Sequence, residues 1–174
     1  MEGATLESIM IEDLESYSRH KGALKKARSL FHHKKFIDRY KELQLMPGQE
    51  EIIDIISEEP DDRAVIWIYG PQGGEGKSTF GKHLVAKYGA FMFNGGRNED
   101  IIFAYDYERI VIMDEARCQD IRYDIVEHFK DSVLFNQKYE SHVMYLTPVH
   151  VIVMANVMPD VSRISVDRIL LKEI

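Results

Sequence analysis

Short apolar runs alternate with longer stretches of mixed polarity from about residue 63 onward. Each run is apolar at nearly every position, which is typical of strands that are buried on both faces of a parallel sheet. The runs occupy residues 64–69, 90–93, 109–114 and 149–155. Between them, 77–88 and 121–131 predict helices, and 133–147 predicts a hairpin with QKYES at its tip. The pattern therefore predicts an α/β fold with a mostly parallel sheet.

The first part of the chain has a different pattern, in which apolar residues recur every three or four positions. This spacing predicts short helices. Gly22 and the pair Pro47-Gly48 are expected to interrupt them, because glycine and proline both disfavour the interior of a helix. One further short helix is expected over 50–57.

The acidic, proline-containing stretch EEPDD at 58–62 marks a shift in composition between these two parts. We therefore expect a small all-α bundle at 1–58, followed by the α/β domain at 59–174. A chain of 174 residues, of which 45% are hydrophobic, is long enough for one sizeable core plus such an appendage.

The composition argues against several classes of protein. No stretch approaches the roughly 20 apolar residues that span a bilayer, so no membrane partner is expected. The N-terminal segment MEGATLESIM lacks the charged-then-apolar pattern of a signal peptide. The lone Cys118 forms neither an internal disulfide nor a cysteine-rich zinc site, which favours a reducing setting.

Charge is distributed unevenly along the chain. The formal net charge is −7, whereas residues 21–41 hold eight Lys or Arg against one acid, Asp38. Because the overall field repels phosphate, any contact with DNA must be local, through a patch or a lined channel. The basic segment is compatible with contact to duplex DNA, with an acidic neighbouring face or with nuclear import, and equally with a solvated helical face.

The stretch GPQGGEGKST, which follows the first apolar run, has the features of a phosphate-binding loop. Its glycines let several backbone N–H groups point at one anion, and the helix that starts near Lys77 adds its positive end. Lys77 would reach the β- and γ-phosphates of ATP, and the Ser78 hydroxyl would hold Mg²⁺. Pro71 stands where the usual motif has its first glycine, so the loop is one residue longer than usual. The candidate nucleotide-binding residues are Gly70, Pro71, Gln72, Gly73, Gly74, Glu75, Gly76, Lys77, Ser78 and Thr79.

Polar side chains also end two other predicted strands. Asp114 follows four apolar residues and emerges at the carboxyl end of its strand, where ligands bind in open α/β sheets. We expect Asp114 to hold Mg²⁺ together with Ser78, and Glu115 to polarise the attacking water. Asn156 ends the run VHVIVMAN. It either senses the γ-phosphate and orients the water, or caps the turn that follows.

Two arginines, Arg163 and Arg168, lie past this asparagine. Either could reach the γ-phosphate bound by a neighbouring subunit and stabilise the charge of the transition state. The alternative for each is a surface ion pair with Asp160 or Asp167.

The predicted hairpin offers a third group of polar side chains. Lys138, Tyr139 and His142 lie near its tip, where they supply a cation for phosphate and rings for base stacking. A solvated hairpin without a nucleic-acid role is equally compatible with these residues.

The order of these elements resembles the superfamily 3 helicases of small DNA viruses. GPQGGEGKST, VIMDEA, the KYES hairpin and VIVMANVMPD are most similar to the replication-initiator (Rep) proteins of plant nanoviruses and their alphasatellites. The resemblance covers roughly residues 60 to 172, and the long loop with GGEGK is found in that group. It implies an AAA+-like P-loop NTPase fold that hydrolyses ATP with Mg²⁺ through Lys77, Asp114, Glu115 and Asn156.

The resemblance also implies partners. The family's Arg-Ile arginine finger matches Arg168-Ile169, which favours Arg168 over Arg163. The family's hairpin grips single-stranded DNA in the pore of a ring, usually a hexamer, which implies DNA contacts for Lys138 and Tyr139 and, less directly, for His142. A helical bundle before the ATPase core mediates oligomerisation in these helicases, and their role in rolling-circle replication implies the host cell nucleus.

Rep proteins of this group open with a nicking endonuclease, which the sequence does not contain. None of the nine tyrosines is followed by lysine three residues later, and the adjacent His32-His33 are poor partners for one metal. We therefore expect the chain to be a helicase fragment of a longer initiator. A small P-loop kinase and a nucleotide-dependent module that oligomerises or binds DNA without unwinding it are the alternative functions.

Overall fold

The computed structural model describes residues 14–72, 74–115, 121–138 and 141–174. Gly73, Cys118 and Tyr139, which the sequence singled out, lie outside these ranges. In chain order the elements are α1 (Leu14–Tyr40), α2 (Pro47–Ser57), β1 (Val65–Tyr69), α3 (Lys77–Tyr88), β2 (Phe91–Phe93), α4 (Asn98–Ala104), β3 (Ile110–Glu115), α5 (Tyr123–Lys130), β4 (Val133–Asn136), β5 (His142–Tyr145), β6 (His150–Ala155), a 3-10 turn (Val166–Arg168) and β7 (Ile169–Glu173).

Five strands form a parallel sheet in the order β2-β3-β6-β1-β7. The strand β6 lies between β3 and β1, although it follows both in sequence. The strands β4 and β5 form a separate antiparallel hairpin, with Asn136 opposite His142 next to the turn. The predicted α/β fold with a parallel central sheet is therefore confirmed, and the predicted hairpin is present.

The central strands are apolar at consecutive positions because both faces of the sheet are covered. On one face, Trp67 packs in a core with Phe129 of α5, together with residues of α4 and the hairpin. On the other face, Ile66 packs with Phe80 of α3 and Ile52 of α2. Side chains alternate between the two faces of a strand, so burial on both sides leaves no position for a polar residue until the strand ends.

The helix α2 belongs to the sheet domain. The compact units of the chain are residues 1–39 and 40–174, so the division lies well before the EEPDD stretch. The physical reason is the apolar face of α2, where Ile52 and Ile56 are almost completely buried in the core that also contains α3. A role in oligomerisation for the preceding helical segment remains a prediction.

The helix α1 runs without a break through Gly22, which the sequence analysis wrongly expected to interrupt it. Most side chains from 20 to 39 are exposed, including the basic ones. The pair Pro47-Gly48 does mark a break between two helices, since α1 ends at Tyr40 and α2 begins at Pro47. Proline suits the first turn of a helix, where its missing N–H has no partner to lose. None of the helices in the described ranges is both long and apolar enough to cross a bilayer.

One α-helix and one β-strand were not predicted. The helix α4 has seven residues, which is too short for a helical period to be recognised in the sequence. The strand β7 lies at the edge of the sheet, paired only with β1, and its burial is partial. An edge strand has fewer buried positions and therefore a weaker apolar signal than the central strands.

Candidate nucleotide-binding site

Three polar chain segments meet at the carboxyl edge of the parallel sheet. Ala155 at the end of β6 is in register with Glu115 of β3 on one side and with Tyr69 of β1 on the other. Adjacent strands are about 4.8 Å apart, so the ends of all three strands lie within roughly 10 Å. The acidic pair, Asn156 and the loop that carries Lys77 are therefore brought together, as the sequence analysis expected.

The glycine-rich loop between β1 and α3 is shaped by close contacts of its backbone. The N–H of Gly70 donates to the carbonyl oxygen of Ala155 over 3.2 Å, which ties the loop to β6. A Cβ at position 70 would overlap Oε2 of Glu75 and lie 2.6 Å from Nζ of Lys77. Gly76 precedes α3 with a φ of 89°, a left-handed conformation that favours glycine. The backbone of the loop thus requires glycine at position 76, whereas a larger residue at position 70 would displace the side chains of Glu75 and Lys77.

Lys77 is buried in this loop, with 5% of its surface exposed. Its Nζ donates to the carbonyl oxygen of Gly70 and to Oε2 of Glu75, both over 2.7 Å. The other carboxylate oxygen of Glu75 accepts from the N–H of Gln72 over 3.1 Å. These hydrogen bonds, led by the one from Lys77, hold the pKa of Glu75 below its ordinary value. The Glu75 carboxylate therefore uses a cation and a backbone N–H that could otherwise bind phosphate.

The residues at this edge fit Mg²⁺ and a phosphate. Ser78 in the first turn of α3 and Asp114 near the end of β3 are both half-buried. The described residues contain no group of three His, Cys, Asp or Glu that could form a complete metal cage. Mg²⁺ does not need one, because it commonly binds one or two protein oxygens together with water and phosphate.

Asn156 has a buried side-chain oxygen that could accept a hydrogen bond. Its Oδ1 is buried and has no hydrogen-bond partner among the described residues. An unsatisfied buried acceptor is costly, so a water or ligand donor at this position would stabilise the site. This geometry favours the interpretation in which Asn156 orients water over the one in which it caps a turn.

An open cavity of about 340 Å³ adjoins the loop on the side of α2. Gln49 of α2 is buried, and its Oε1 accepts from the backbone N–H of Met46 over 3.2 Å. This cavity was not predicted, because half of its lining lies before the expected domain boundary. Its lining combines apolar side chains, carboxamides and loop backbone: Leu43, Gln44, Met46, Gln49, Gly74, Glu75, Gly76 and Thr79.

Glu115 is paired with an arginine that the sequence analysis did not identify. The carboxylate is buried, with 2% of the residue exposed, and its Oε1 lies 3.5 Å from Nη2 of Arg122. Nη1 of Arg122 also donates to the carbonyl oxygen of Gly96. Arg122 precedes α5 and Gly96 precedes α4, so no local motif in the sequence connects them.

Arg168 lies at the opposite edge of the sheet from Lys77. Since Ile169 pairs with Val65, Arg168 is level with the start of β1, whereas Lys77 contacts the loop after its end. A strand rises about 3.3 Å per residue, so roughly 15 to 20 Å separates the two levels. Nη1 of Arg168 donates to both carboxylate oxygens of Glu127, over 2.8 and 3.0 Å. Arg168 is therefore not brought together with the glycine-rich loop of its own chain.

Arg163 is placed differently from Arg168. Its guanidinium carbon lies 4.7 Å from the centre of the Tyr123 ring, and Tyr123 in turn stacks against Trp67 of β1. Cation–π contacts of this kind hold an arginine against the surface.

Two of the three candidate residues of the hairpin, Lys138 and His142, lie within the described ranges. Lys138 forms an ion pair with Asp100 of α4, and its Nζ lies 5.8 Å from the centre of the Phe103 ring. His142 begins β5 and is exposed. One face of the hairpin exposes apolar side chains while the other packs on the core. The exposed residues are Val133, Phe135, Val143 and Tyr145.

A family model described as RNA helicase matches residues 66–157. The match extends from β1 to Val157, and so includes the loop, the acidic pair, the hairpin and Asn156. The chain belongs to the RNA helicase family. Arg168 lies outside the matched range, so its role does not follow from membership.

Curated relatives of this RNA helicase domain are replication proteins of plant viruses and satellites. It is 44% identical to the "Para-Rep C7" of Faba bean necrotic yellows C7 alphasatellite, over 72% of this chain and 47% of the relative. It is 38% identical to the "Master replication protein" of Faba bean necrotic yellows virus, over 91% of this chain and 55% of the relative. Against the protein of the same name from Subterranean clover stunt virus, the identity is 37% over 92% of this chain and 57% of the relative.

These relatives confirm the resemblance to superfamily 3 helicase domains of nanovirus and alphasatellite Rep proteins. The chain spans about half the length of the curated relatives it matches. Membership in the family implies the use of a nucleotide, and the roles of individual residues remain predictions.

Proposed function

We propose that the chain is the ATP-hydrolysing DNA helicase domain of a viral replication initiator. It acts as a ring that translocates along single-stranded DNA during rolling-circle replication, and the ring is a hexamer, as is usual in the family. The observation that carries this proposal is the meeting of Lys77, the acidic pair and Asn156 at the ends of three adjacent strands. Such an edge is where ligands bind in open parallel sheets.

The residues of the site divide the work of hydrolysis between them. Lys77 and the loop N–H groups bind the phosphates, while Ser78 and Asp114 would hold Mg²⁺, which when bound neutralises developing negative charge. Glu115 polarises the attacking water, and the buried Oδ1 of Asn156 accepts a hydrogen bond from it. The cavity beside Gln49 is large enough to receive the base and ribose. Glu75 must release Lys77 when phosphate enters.

The placement of Arg168 supports action on a neighbouring subunit. It lies at the amino end of the sheet, far from its own Lys77, and near exposed apolar side chains of the 3-10 turn and of β7. These side chains are Val166, Leu170 and Leu171. Exposed apolar residues around a charged group are typical of a protein interface. In a ring, this edge would face the phosphate loop of the next copy, and Arg168 would exchange Glu127 for phosphate.

The hairpin is the proposed DNA contact. Lys138 is available for phosphate if the ion pair with Asp100 opens, and the exposed Phe135 and Tyr145 offer rings on which bases stack. The family description names RNA and the relatives' names refer to replication, so DNA as the strand is part of the proposal. We also propose that the full-length protein carries an N-terminal nicking endonuclease and acts in the host cell nucleus, as the resemblance to Rep proteins implies.

Mixing two inactive variants tests this proposal. Lys77→Ala should lower phosphate release at least about 1,000-fold, and Arg168→Ala should lower it by a similar factor. In a ring, subunits with Lys77→Ala still offer Arg168 to neighbours with Arg168→Ala, which keep Lys77. An equal mixture should therefore recover activity at roughly a quarter of the interfaces, because the contact is head-to-tail. Arg163→Ala is the matched control and should remain active alone.

Several outcomes would reject the proposal. Normal ATP hydrolysis by the Lys77→Ala variant would reject the proposed site. If activity does not recover in the mixture, an active site shared between subunits is rejected. Strand-separation assays with matched DNA and RNA duplexes distinguish the substrates, and a preference for RNA would reject the DNA assignment. Phosphoryl transfer to a nucleoside instead of water would favour the kinase. ATP-driven assembly without unwinding would favour the oligomerisation module.

A further inference from the structure

Glu115 and Arg122 form a charge pair that the proposed hydrolysis does not explain by itself. A buried carboxylate is costly without an opposite charge, and Arg122 supplies one at 3.5 Å. About a quarter of the Arg122 side chain is exposed. Because the guanidinium is planar and rigid, it can orient Glu115 as well as neutralise it.

Arg122 also connects the start of α5 to the segment before α4. It donates to the carbonyl oxygen of Gly96, and a second link runs in parallel, from Nδ2 of Asn98 to Oδ2 of Asp124 over 2.6 Å. Because these two hydrogen bonds connect the start of α5 with the start of α4, a displacement of one helix start also displaces the other. Glu115 is therefore held by a group whose position depends on the start of α4.

The first turn of α4 in turn holds the hairpin cation. Asp100 forms the ion pair with Lys138, and its other oxygen lies 3.3 Å from Nε of Arg97, the residue next to Gly96. Residues 96–100 thus contact the hairpin on one side and Arg122 on the other. This series of contacts runs from the proposed DNA-binding residue to the proposed catalytic carboxylate.

We propose that Arg122 is a positioning residue for Glu115, and that it makes the hydrolysis rate depend on single-stranded DNA through Asp100 and Lys138. DNA phosphate competes with Asp100 for Lys138. When the ion pair between Lys138 and Asp100 opens, the start of α4 loses a contact and the position of Gly96 changes. Because Arg122 donates to the carbonyl oxygen of Gly96, its contact with Glu115 changes as well. The inference rests on the proposed function, since it requires that Glu115 acts in hydrolysis and Lys138 binds DNA.

The first test separates positioning from stability. Arg122→Gln should lower kcat by about 100-fold while KM for ATP changes little, because a small displacement of a catalytic group has a large effect on rate. Its unfolding midpoint should also fall, because the buried Glu115 is left without an opposite charge. Arg122→Lys keeps the charge without the planar fork and should recover part of the rate. Arg109→Gln is the matched control, because Arg109 directly precedes β3, the strand that ends at Glu115. Arg109 also donates to two backbone carbonyls and pairs with an acid, Glu59.

The second test addresses the dependence on DNA. Hydrolysis is measured with and without a polythymidine oligonucleotide. The wild type and Arg109→Gln should respond to the DNA, whereas Arg122→Gln should not. Asp100→Asn weakens the partner of Lys138 and should shift the rate without DNA toward the rate with DNA. The double variant Asp100→Asn with Arg122→Gln should show no such shift.

The outcomes separate this inference from the proposed function. If the wild type does not hydrolyse ATP, the proposed function fails first. If the wild type is active and Arg122→Gln behaves like Arg109→Gln, Arg122 has no positioning role. If kcat falls but the response to DNA persists in Arg122→Gln, the connection to the hairpin is wrong. If Arg122→Gln loses both kcat and the response to DNA, and Arg122→Lys remains folded, the inference is supported.

Discussion

The two ends of the same parallel sheet hold their charged side chains in different ways. At the amino end, cations are bound mainly by backbone carbonyls. Lys130 donates to the carbonyl oxygens of Asp61 and Val149 over 2.9 and 2.8 Å. Arg109 donates to those of Ile56 and Glu58 over 3.3 and 2.6 Å.

At the carboxyl end, Lys77 and Glu115 have charged side chains as partners, although Lys77 also donates to the carbonyl oxygen of Gly70. Lys77 is held partly by Glu75, a residue of its own loop, and Glu115 by Arg122. The Oδ1 of Asn156 has no partner within the described part of the chain. A side chain can rotate away when a ligand arrives, whereas a carbonyl in a packed backbone cannot.

The difference assigns different tasks to the two ends. Fixed carbonyl partners at the amino end join the loop at 58–62, α5 and the start of β6, so they serve stability. Exchangeable partners at the carboxyl end leave room for phosphate, metal and water. Arg168 is intermediate, because it donates both to the carbonyl of Arg63 and to the side chain of Glu127. That combination suits a residue that is anchored on one side and released on the other.

Among three further variants that compare the two ends of the sheet, the largest effect is expected at Asn156. Asn156→Ala should lower the hydrolysis rate by about 100-fold, since it removes one prepositioned polar group from the reaction. The unfolding midpoint should hardly change, because the Oδ1 accepts no hydrogen bond from described residues. Phosphate release and thermal unfolding measure the two effects. A large loss of stability with little loss of rate would place Asn156 with the structural residues of the amino end.

A smaller effect is expected from Lys130 as the pH changes. Burial lowers its pKa from 10.5 to about 8, so the unfolded chain binds more protons than the folded one between these values. Stability therefore rises with pH through this window, by about 1 kcal/mol between pH 7 and 9 relative to a variant without the group. Urea unfolding of wild type and Lys130→Met should show this difference. Parallel curves for the two proteins would contradict the lowered pKa.

The smallest effect is expected at Glu75. Glu75→Gln removes the carboxylate that competes with phosphate for Lys77, and the affinity for ATP should rise about threefold, as for other partly exposed ion pairs. Fluorescence titration with a labelled ATP measures it. Glu59→Gln removes the same charge from an almost fully exposed side chain and serves as the control. Equal changes in both variants would indicate net charge alone, and weaker binding by Glu75→Gln would mean that Glu75 assists the nucleotide.

Local pattern was sufficient for much of the fold and for part of the site. The helix α3 was predicted with its observed bounds, because glycines end the preceding loop and the helix begins at Lys77. The strand β1 was predicted to within one residue, because burial on both faces leaves a continuous apolar run. Lys77, the acidic pair and Asn156 were recognised as polar groups where such runs end.

Contacts between distant segments could not be predicted in the same way. Nothing near Arg122 in sequence indicates that it lies against Glu115, since the pairing depends on how α5 packs beside β3. The ion pair of Lys138 with Asp100 joins residues 38 positions apart. The placement of α2 on the sheet also required the tertiary structure, because its apolar face would fit a helical bundle equally well.

The sequence by itself determined which backbone can bend and which residues must be buried, since glycine freedom and apolar periodicity are properties of short segments. It thereby determined the glycine-rich loop, the parallel strands and the polar residues at their ends. Only the tertiary structure decided that Glu75 pairs with Lys77, that Arg122 pairs with Glu115 and that Arg168 lies at the amino end of the sheet. Charged side chains take whichever partner packing brings within a few ångströms, and packing depends on the whole chain.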